Sequence, residues 1–289
     1  MRLGKALTLF FFLFLAGMAA YLSPIAPILS RWGAWPKMPA QPVNYIIAGV
    51  APKYLGYHRA APEDYSGLTD TLLIARLEPS TKTIRLLSIP RDTRVNVSGY
   101  GWGKVNGANV HGGPQALVST LESLTGLKIK GYAYLSLEAL RDVTDALGGV
   151  RVNVPFAMKY QDTAAKLNID LKPGLQTLSG VQLEGFTRFR HDGMGDIGRV
   201  ARQQDMLRAV SAKLRSPQGV LNFPKAASAL EKNVKTDLER DDVASLLGMM
   251  LAQSALETYT VPGDFAYFGG RSYWEPDRGA LETLLREKF

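Results

Sequence analysis

The sequence predicts an α/β fold with a mixed β-sheet, held outside a membrane by an N-terminal anchor. Three observations lead there: short apolar strands alternate with amphipathic helices, two of the strands read as a hairpin, and a charge-free apolar run opens the chain. Strand–helix alternation favours parallel neighbours and a hairpin imposes an antiparallel pair, so the sheet has to contain both.

The opening comes first. Arg2 and Lys5 precede an uncharged run from Ala6 to Leu22. At about 1.5 Å of rise per residue, this run is at the short end for a bilayer span. Ser23, Ile25, Ala26, Ile28 and Leu29 prolong its apolar character, while Pro24 and Pro27 kink or end a helix. Positive charge ahead of the run keeps the N-terminus cytoplasmic and sends the body outside, giving a single-pass protein of the cell membrane. A cleaved signal peptide is the other reading, with Ala16, Gly17, Ala19 and Ala20 open to a signal peptidase. Both export the body. Trp35 to Pro42 reads as a Pro-rich linker. Residues 1–42 are thus expected to hold a short cytoplasmic start, the anchor and the linker, and residues 43–289 one extracytoplasmic domain.

Within the body, Val43 to Val50 is continuously apolar and predicts a buried strand. Asp70 to Leu77 and Thr83 to Ile89 flank Glu78-Pro79-Ser80-Thr81-Lys82, which predicts a hairpin. Helical periodicity runs from Pro114 to Leu124. Tyr132 to Leu135 predicts a short strand, and Leu137 to Leu147 an amphipathic helix stopped by Gly148-Gly149. Val150 to Val154 follows as a strand. Ile197 to Leu214 predicts a long helix, and Asp241 to Ala255 another, with Thr236 or Asp237 as its cap. Thr258 to Val261 and Ala266 to Gly269 predict late strands.

Composition limits the chemistry. The 289-residue chain is 46% hydrophobic and 21% charged, as a globular protein is, and Lys and Arg exceed Asp and Glu by 34 − 26 = 8. That excess suits a polyanionic partner: nucleic acid, anionic lipid or phosphorylated glycan. There is no cysteine, which excludes disulfides, thiol catalysis and Cys-based zinc. His58, His111 and His191 are the only histidines, too few for a His-rich metal cage.

The densest signal runs from Thr187 to Gln204. Arg188 and Arg190 alternate with Phe189, so an extended segment would aim both guanidiniums the same way. A Gly-rich turn containing Asp192 and Asp196 follows, then a helix start. Arg199 and Gln203 stand four apart and share one helical face, beside Arg202. Several convergent Arg suit a pyrophosphate, because the guanidinium fork matches phosphate oxygens and its charge does not titrate away. Ser88-Ile89-Pro90-Arg91-Asp92-Thr93 lies just past the end of a strand, where α/β folds build sites. Thr69-Asp70-Thr71 opens another strand, and the Asp70 carboxylate suits a hard cation such as Mg²⁺.

Thr69-Asp70-Thr71, Ser88 to Asp92, Lys104-Val105-Asn106-Gly107-Ala108, Gly112-Gly113, Asp145 to Val150, Leu167 to Gly174 and the Arg-rich segment occur in this order. In that order they resemble the LytR–CpsA–Psr family, from about Val43 to Leu214. The resemblance implies an αβα three-layer sandwich with a hydrophobic pocket for a polyprenyl chain. It implies Mg²⁺-assisted transfer of a phosphate-linked glycopolymer from a polyprenyl-pyrophosphate carrier to a peptidoglycan hydroxyl. By motif, Arg91, Arg188, Arg190, Arg199 and Gln203 would hold the pyrophosphate, with Arg202 beside them, and Asp70 would ligate the metal. Asp192 or Asp196 would orient an Arg or assist the attacking hydroxyl. The chain departs from the family pattern at Ala51, where an Asp is usual, and at Leu68, where an Arg is common. Glu63 or Asp64, in the intervening loop, would substitute for that carboxylate; otherwise metal binding would be weak, or the Arg residues would carry more of the charge.

A non-catalytic scaffold for polyprenyl-pyrophosphate glycan and a lipid-carrier pyrophosphatase are the alternatives. A nucleic-acid regulator is a distant third: the export signal and the lack of a recognisable helix-turn-helix or basic helix argue against nucleic acid as a partner.

Overall fold

The computed structural model describes residues 36–50, 53–55, 58–60, 65–163, 167–193, 195–252 and 254–289. The expected anchor, and the side chains of Ala51, Glu63, Asp64 and Asp196, lie outside the described residues. Among the described residues no helix is long and apolar enough to cross a membrane.

In chain order the strands are β1 (Val43–Val50), β2 (Lys53–Leu55), β3 (His58–Ala60), β4 (Thr69–Glu78), β5 (Thr83–Ser88), β6 (Arg94–Val97) and β7 (Gly101–Lys104). Helix α1 (Ala108–Thr125), β8 (Ile129–Leu135) and α2 (Leu137–Ala146) come next, then β9 (Val150–Val154), β10 (Met158–Asp162), β11 (Leu167–Leu171) and β12 (Gly174–Leu178). The remainder is α3 (Gly180–Arg188), α4 (Gly195–Arg215), α5 (Pro217–Lys232), β13 (Val234–Thr236), α6 (Arg240–Leu251), β14 (Ala255–Thr260), β15 (Gly263–Phe268), β16 (Arg271–Pro276) and α7 (Arg278–Lys288).

The central sheet has six strands in the order β13-β8-β1-β4-β5-β14. β1–β8 and β5–β14 pair in parallel, while β1–β4, β4–β5 and β8–β13 are antiparallel. The sheet is therefore mixed, and the expected hairpin is β4–β5. Strand pleating sends Ile46, Ala48, Leu72, Ile74 and Leu87 to one face, where they pack with Leu117 and Leu121 of α1 and Leu281 of α7. On the other face Tyr45 and Leu77 meet Met249 of α6. Helices thus cover both faces of the sheet.

β9 to β12 leave this sheet. They pair as β9–β12 and β10–β11 and close a separate core with Leu183, Phe186 and Phe189. Their alternation of buried and exposed residues fits sheets packed on one side only.

Several boundaries move from their expected places. α1 joins two helical pieces across a kink at Gly112 and Gly113, neither of which is helical, so the expected helix does begin at Pro114 and residues 108–111 are a short turn ahead of it. Gly113 takes φ +65°, a conformation that only glycine adopts cheaply. α6 stops at Leu251, since Ala255 already belongs to β14. Its cap is Glu239, which forms a capping box with Asp242, and not Thr236 or Asp237. Thr236 is committed to β13, and the Asp237 carboxylate accepts from the Tyr132 backbone N–H at 2.6 Å. The late strands extend over β14 and β15, and β16 joins them as the partner of β15.

Candidate active site

The site starts from the register of β4 and β5. Leu73 pairs with Ser88, so the start of β4 lies beside the chain leaving β5. Asp70 and Arg91 therefore meet, with Arg91 Nη1 2.5 Å from Asp70 Oδ1. The Pro90–Thr93 turn that presents Arg91 is tied internally: Thr93 Oγ1 donates to the Pro90 carbonyl at 2.5 Å. The Lys104–Ala108 segment supports it. Lys104 Nζ lies 3.0 Å from Asp92 Oδ1, and the Asn106 backbone N–H donates to the Arg91 carbonyl at 3.2 Å. Asn109 Nδ2 donates to the Tyr65 and Gly67 carbonyls, both at 2.8 Å, which fixes the approach to β4.

α4 crosses over these strand ends. Gln203 Nε2 donates to Thr71 Oγ1 at 2.9 Å. Gln204 Nε2 donates to Ser88 Oγ at 3.1 Å and to Thr260 Oγ1 at 2.9 Å. Arg199, one turn before Gln203, is carried toward the Asp70–Arg91 end and is only 3% exposed. The Thr69 hydroxyl, at the start of β4, is buried without a hydrogen-bond partner. A buried donor left in this way costs free energy unless a ligand completes it.

The Arg-rich segment divides into two. Arg188 ends α3, because the Phe189 N–H still donates to the Gly185 carbonyl, so the backbone turns extended only at Phe189. The expected extended Arg188-Phe189-Arg190 run is thus corrected: the helix persists one residue into it. Arg188 folds back on Glu184, with Nη1 2.8 Å from Oε1. Glu184 is fully buried and also takes Nε of Arg141 from α2. Arg190 is half-buried in the turn that follows. Arg202 faces inward, where it pairs with Asp192 and donates to the Phe189 carbonyl. The structure thus brings Asp70, Arg91 and Gln203 together with Arg199 beside them, whereas Arg202 and Asp192 are engaged with each other.

Sequence reasoning missed Glu184 and Arg141. Glu184 and Arg188 stand four apart on a helix, which was a visible signal. Arg141 comes from another helix and carried none. Among the described residues no group of three or more His, Asp or Glu is placed to hold a metal.

A mixed sheet with arginines and an aspartate gathered at the ends of its strands is the frame of an anion-binding α/β protein. The model of the LytR_cpsA_psr family matches residues 35–289, and the chain belongs to that family. One relative is the polyisoprenyl-teichoic acid–peptidoglycan teichoic acid transferase TagV of Bacillus subtilis, 30% identical over 242 residues, covering 81% of this chain and 62% of TagV. Another is the probable cell wall biosynthesis protein LcpB of Corynebacterium glutamicum, 36% identical over 227 residues, covering 76% of this chain and 53% of LcpB. The chain thus spans a little over half the length of these relatives. The crystal structure of B. subtilis TagV superposes with a TM-score of 0.71 at 26% identity, covering 86% of this chain and 96% of that one.

Proposed function

We propose that this protein transfers a phosphate-linked glycopolymer from a polyprenyl-pyrophosphate carrier to a peptidoglycan hydroxyl at the outer face of the membrane. The observation that carries this reading is the Asp70–Arg91 pair at the strand ends, crossed by the helix that bonds Thr71 through Gln203 and carries the buried Arg199 one turn earlier. The relative TagV, a teichoic acid transferase by name, supports it.

The acceptor oxygen attacks the phosphorus that bears the glycan. A new P–O bond forms, the bridging P–O bond of the pyrophosphate breaks, and polyprenyl phosphate leaves. The acceptor proton passes to solvent. Such a transfer asks the protein for positioning and charge neutralisation more than for covalent help. Arg91 and Arg199 supply fixed charge to the phosphoryl oxygens, and Gln203 holds α4 in place over them. Arg188 and Arg190 bind the outer pyrophosphate oxygens. Asp70, which also pairs with Arg91, would be the protein ligand for Mg²⁺. A single half-exposed carboxylate fits a cation that arrives with its phosphates, since Mg²⁺ is commonly held by one or two carboxylates plus substrate oxygens. When bound, the metal neutralises charge on the transferring group.

The polyprenyl chain is the apolar part of the substrate and requires an apolar surface beside the phosphate cluster. The N-terminal run anchors the protein beside its lipid substrate.

The test is transfer by the full chain in liposomes, with a polyprenyl-pyrophosphate glycan, peptidoglycan oligomers, and Mg²⁺ or chelator. Metal-dependent transfer that Arg91→Ala abolishes is the expected result. Tight carrier binding without transfer would replace the enzyme with a scaffold, and release of free glycan phosphate to water would make it a pyrophosphatase.

A further inference from the structure

The β15–β16 hairpin lines a cavity beside the Asp70–Arg91 cluster. Its volume is about 370 Å³. It is lined by Pro90 and Asp92 of the turn after β5, Val200 and Gln204 of α4, and Phe265 and Trp274 of the hairpin. Pro90 and Asp92 are the two neighbours of Arg91, so this cavity and the phosphate cluster share one turn. The hairpin is fastened to that turn: the Trp274 backbone N–H donates to the Asp92 carbonyl at 2.9 Å, and Thr93 bridges Trp274.

Pairing of Phe265 with Trp274 sets both rings on one face of the hairpin, and Tyr267 follows on the same face two residues on. Their ring centroids are 5.5 Å apart for Phe265 and Trp274, at 86°. Phe265 is 48% exposed and Tyr267 76%, so a row of aromatic surface runs outward from the cavity. The opposite face is already used. There Phe268 stacks on Arg94, Tyr273 lies near Lys104, and Glu275 pairs with Arg94.

We propose that this cavity is the acceptor subsite and that it holds a sugar ring of the peptidoglycan glycan strand. This rests on the transferase reading above. A pyranose has an apolar C–H face and a hydroxylated edge. The aromatic wall meets the face, and Asp92, whose Oδ1 is already paired with Lys104, has its second carboxylate oxygen to accept from the edge. The cavity is within the usual size of a small-ligand site, and mostly apolar walls with a few polar groups are the usual lining. The exposed aromatic rings favour the C–H face of a sugar over a phosphate, which is strongly hydrated and gains nothing from an apolar wall.

The cavity lies on the β14 side of the Asp70–Arg91 pair, since Thr260 and Val261 at the end of β14 line it, so an acceptor held there approaches the phosphate cluster from that side.

The test uses the full chain and the variants Phe265→Ala and Trp274→Phe. Phe265→Ala is expected to raise the KM for peptidoglycan oligomer about five- to tenfold and leave the donor KM unchanged. Trp274→Phe keeps a ring and should give a smaller shift in the same direction. Equilibrium binding of a soluble peptidoglycan glycan oligomer is measured in parallel, without donor, and should weaken by the same factor. An unchanged acceptor KM, or a rise in the donor KM instead, overturns the assignment. If the wild type transfers nothing, the transferase reading fails by itself. The binding arm then decides: oligomer bound by the wild type and weakened in Phe265→Ala upholds a sugar site, and no binding ends it.

Discussion

Glu184 and Arg188 meet one helical turn apart, nitrogen to oxygen at 2.8 Å, with the glutamate wholly shut off from water. The same carboxylate takes Arg141 from the neighbouring helix. A buried carboxylate between two cations is a rigid joint, because both partners would leave an uncompensated charge behind on moving away. Glu184→Gln keeps the shape and removes the charge. It should lower stability by about 1–3 kcal/mol, read from the urea midpoint. Freed from its partner, Arg188 should also lose its aim, with turnover falling about 10–100-fold. Loss of stability with unchanged turnover would confine Arg188 to a structural role.

Arg202 and Asp192 form the second buried pair, with side chains 5% and 10% exposed. Arg202 also donates to the Phe189 carbonyl and so closes the turn between α3 and α4. Arg202→Ala strands the aspartate and should cost about 3–5 kcal/mol in a denaturation experiment. Its activity should fall only as its folded fraction falls. A folded but inactive Arg202→Ala would mean that Arg202 touches the pyrophosphate directly.

Close packing where α3 begins predicts a third effect. A Cβ on Gly180 would lie 2.4 Å from the Arg141 carbonyl oxygen and 2.7 Å from its Cα. Both are backbone atoms and cannot swing aside. Gly180→Ala must push α2 and α3 apart, at about 1–3 kcal/mol. Because these helices carry Arg141 and Glu184, turnover should drop along with the melting temperature. A melting temperature equal to the wild type's would show that the two helices separate without cost.

The parts of the fold legible in the sequence were those fixed by neighbours along the chain. β1 is a continuous apolar run, and the β4–β5 hairpin surrounds its own turn. Gly148 and Gly149 ended α2, both with positive φ. The long helix carrying Arg199 and Gln203 followed from periodicity. Other features depended on distant partners. Nothing local in Val150–Val154 says that it pairs with β12 and not with the central sheet. Likewise the segment around Arg188 alternates like a strand, yet it is helical because α3 packs its Leu183 and Phe186 into the second core. Of the site, the convergence of Asp70 and Arg91 could be drawn from hairpin register. The anchoring of Arg188 through Glu184 to Arg141 needed two helices in contact.

At the far end of the sheet, Asp242 binds three groups at once and makes stability depend on pH. Tyr45 donates its hydroxyl to Oδ1 at 2.6 Å, Lys130 Nζ lies 2.6 Å from the same oxygen, and the Glu239 N–H donates to Oδ2 at 3.0 Å. Burial alone would raise the Asp242 carboxyl, but the bonds from Lys130, Tyr45 and the Glu239 backbone hold it below the usual carboxylate value. A carboxylate depressed in the folded state contributes stability that is present above its unfolded pKa, about 3.9, and is lost as pH falls through the folded value. Burial and the bond to Asp242 raise the Tyr45 phenol, so its contribution is present below its unfolded pKa of about 10 and fades as pH climbs. Asp242→Asn should therefore cost about 2–4 kcal/mol at pH 7, since it disarms a buried, triply bonded anion. Urea unfolding at several pH values should show wild type and variant converging below about pH 4. A difference that stays constant down to about pH 2 would place the acid sensitivity in another carboxylate.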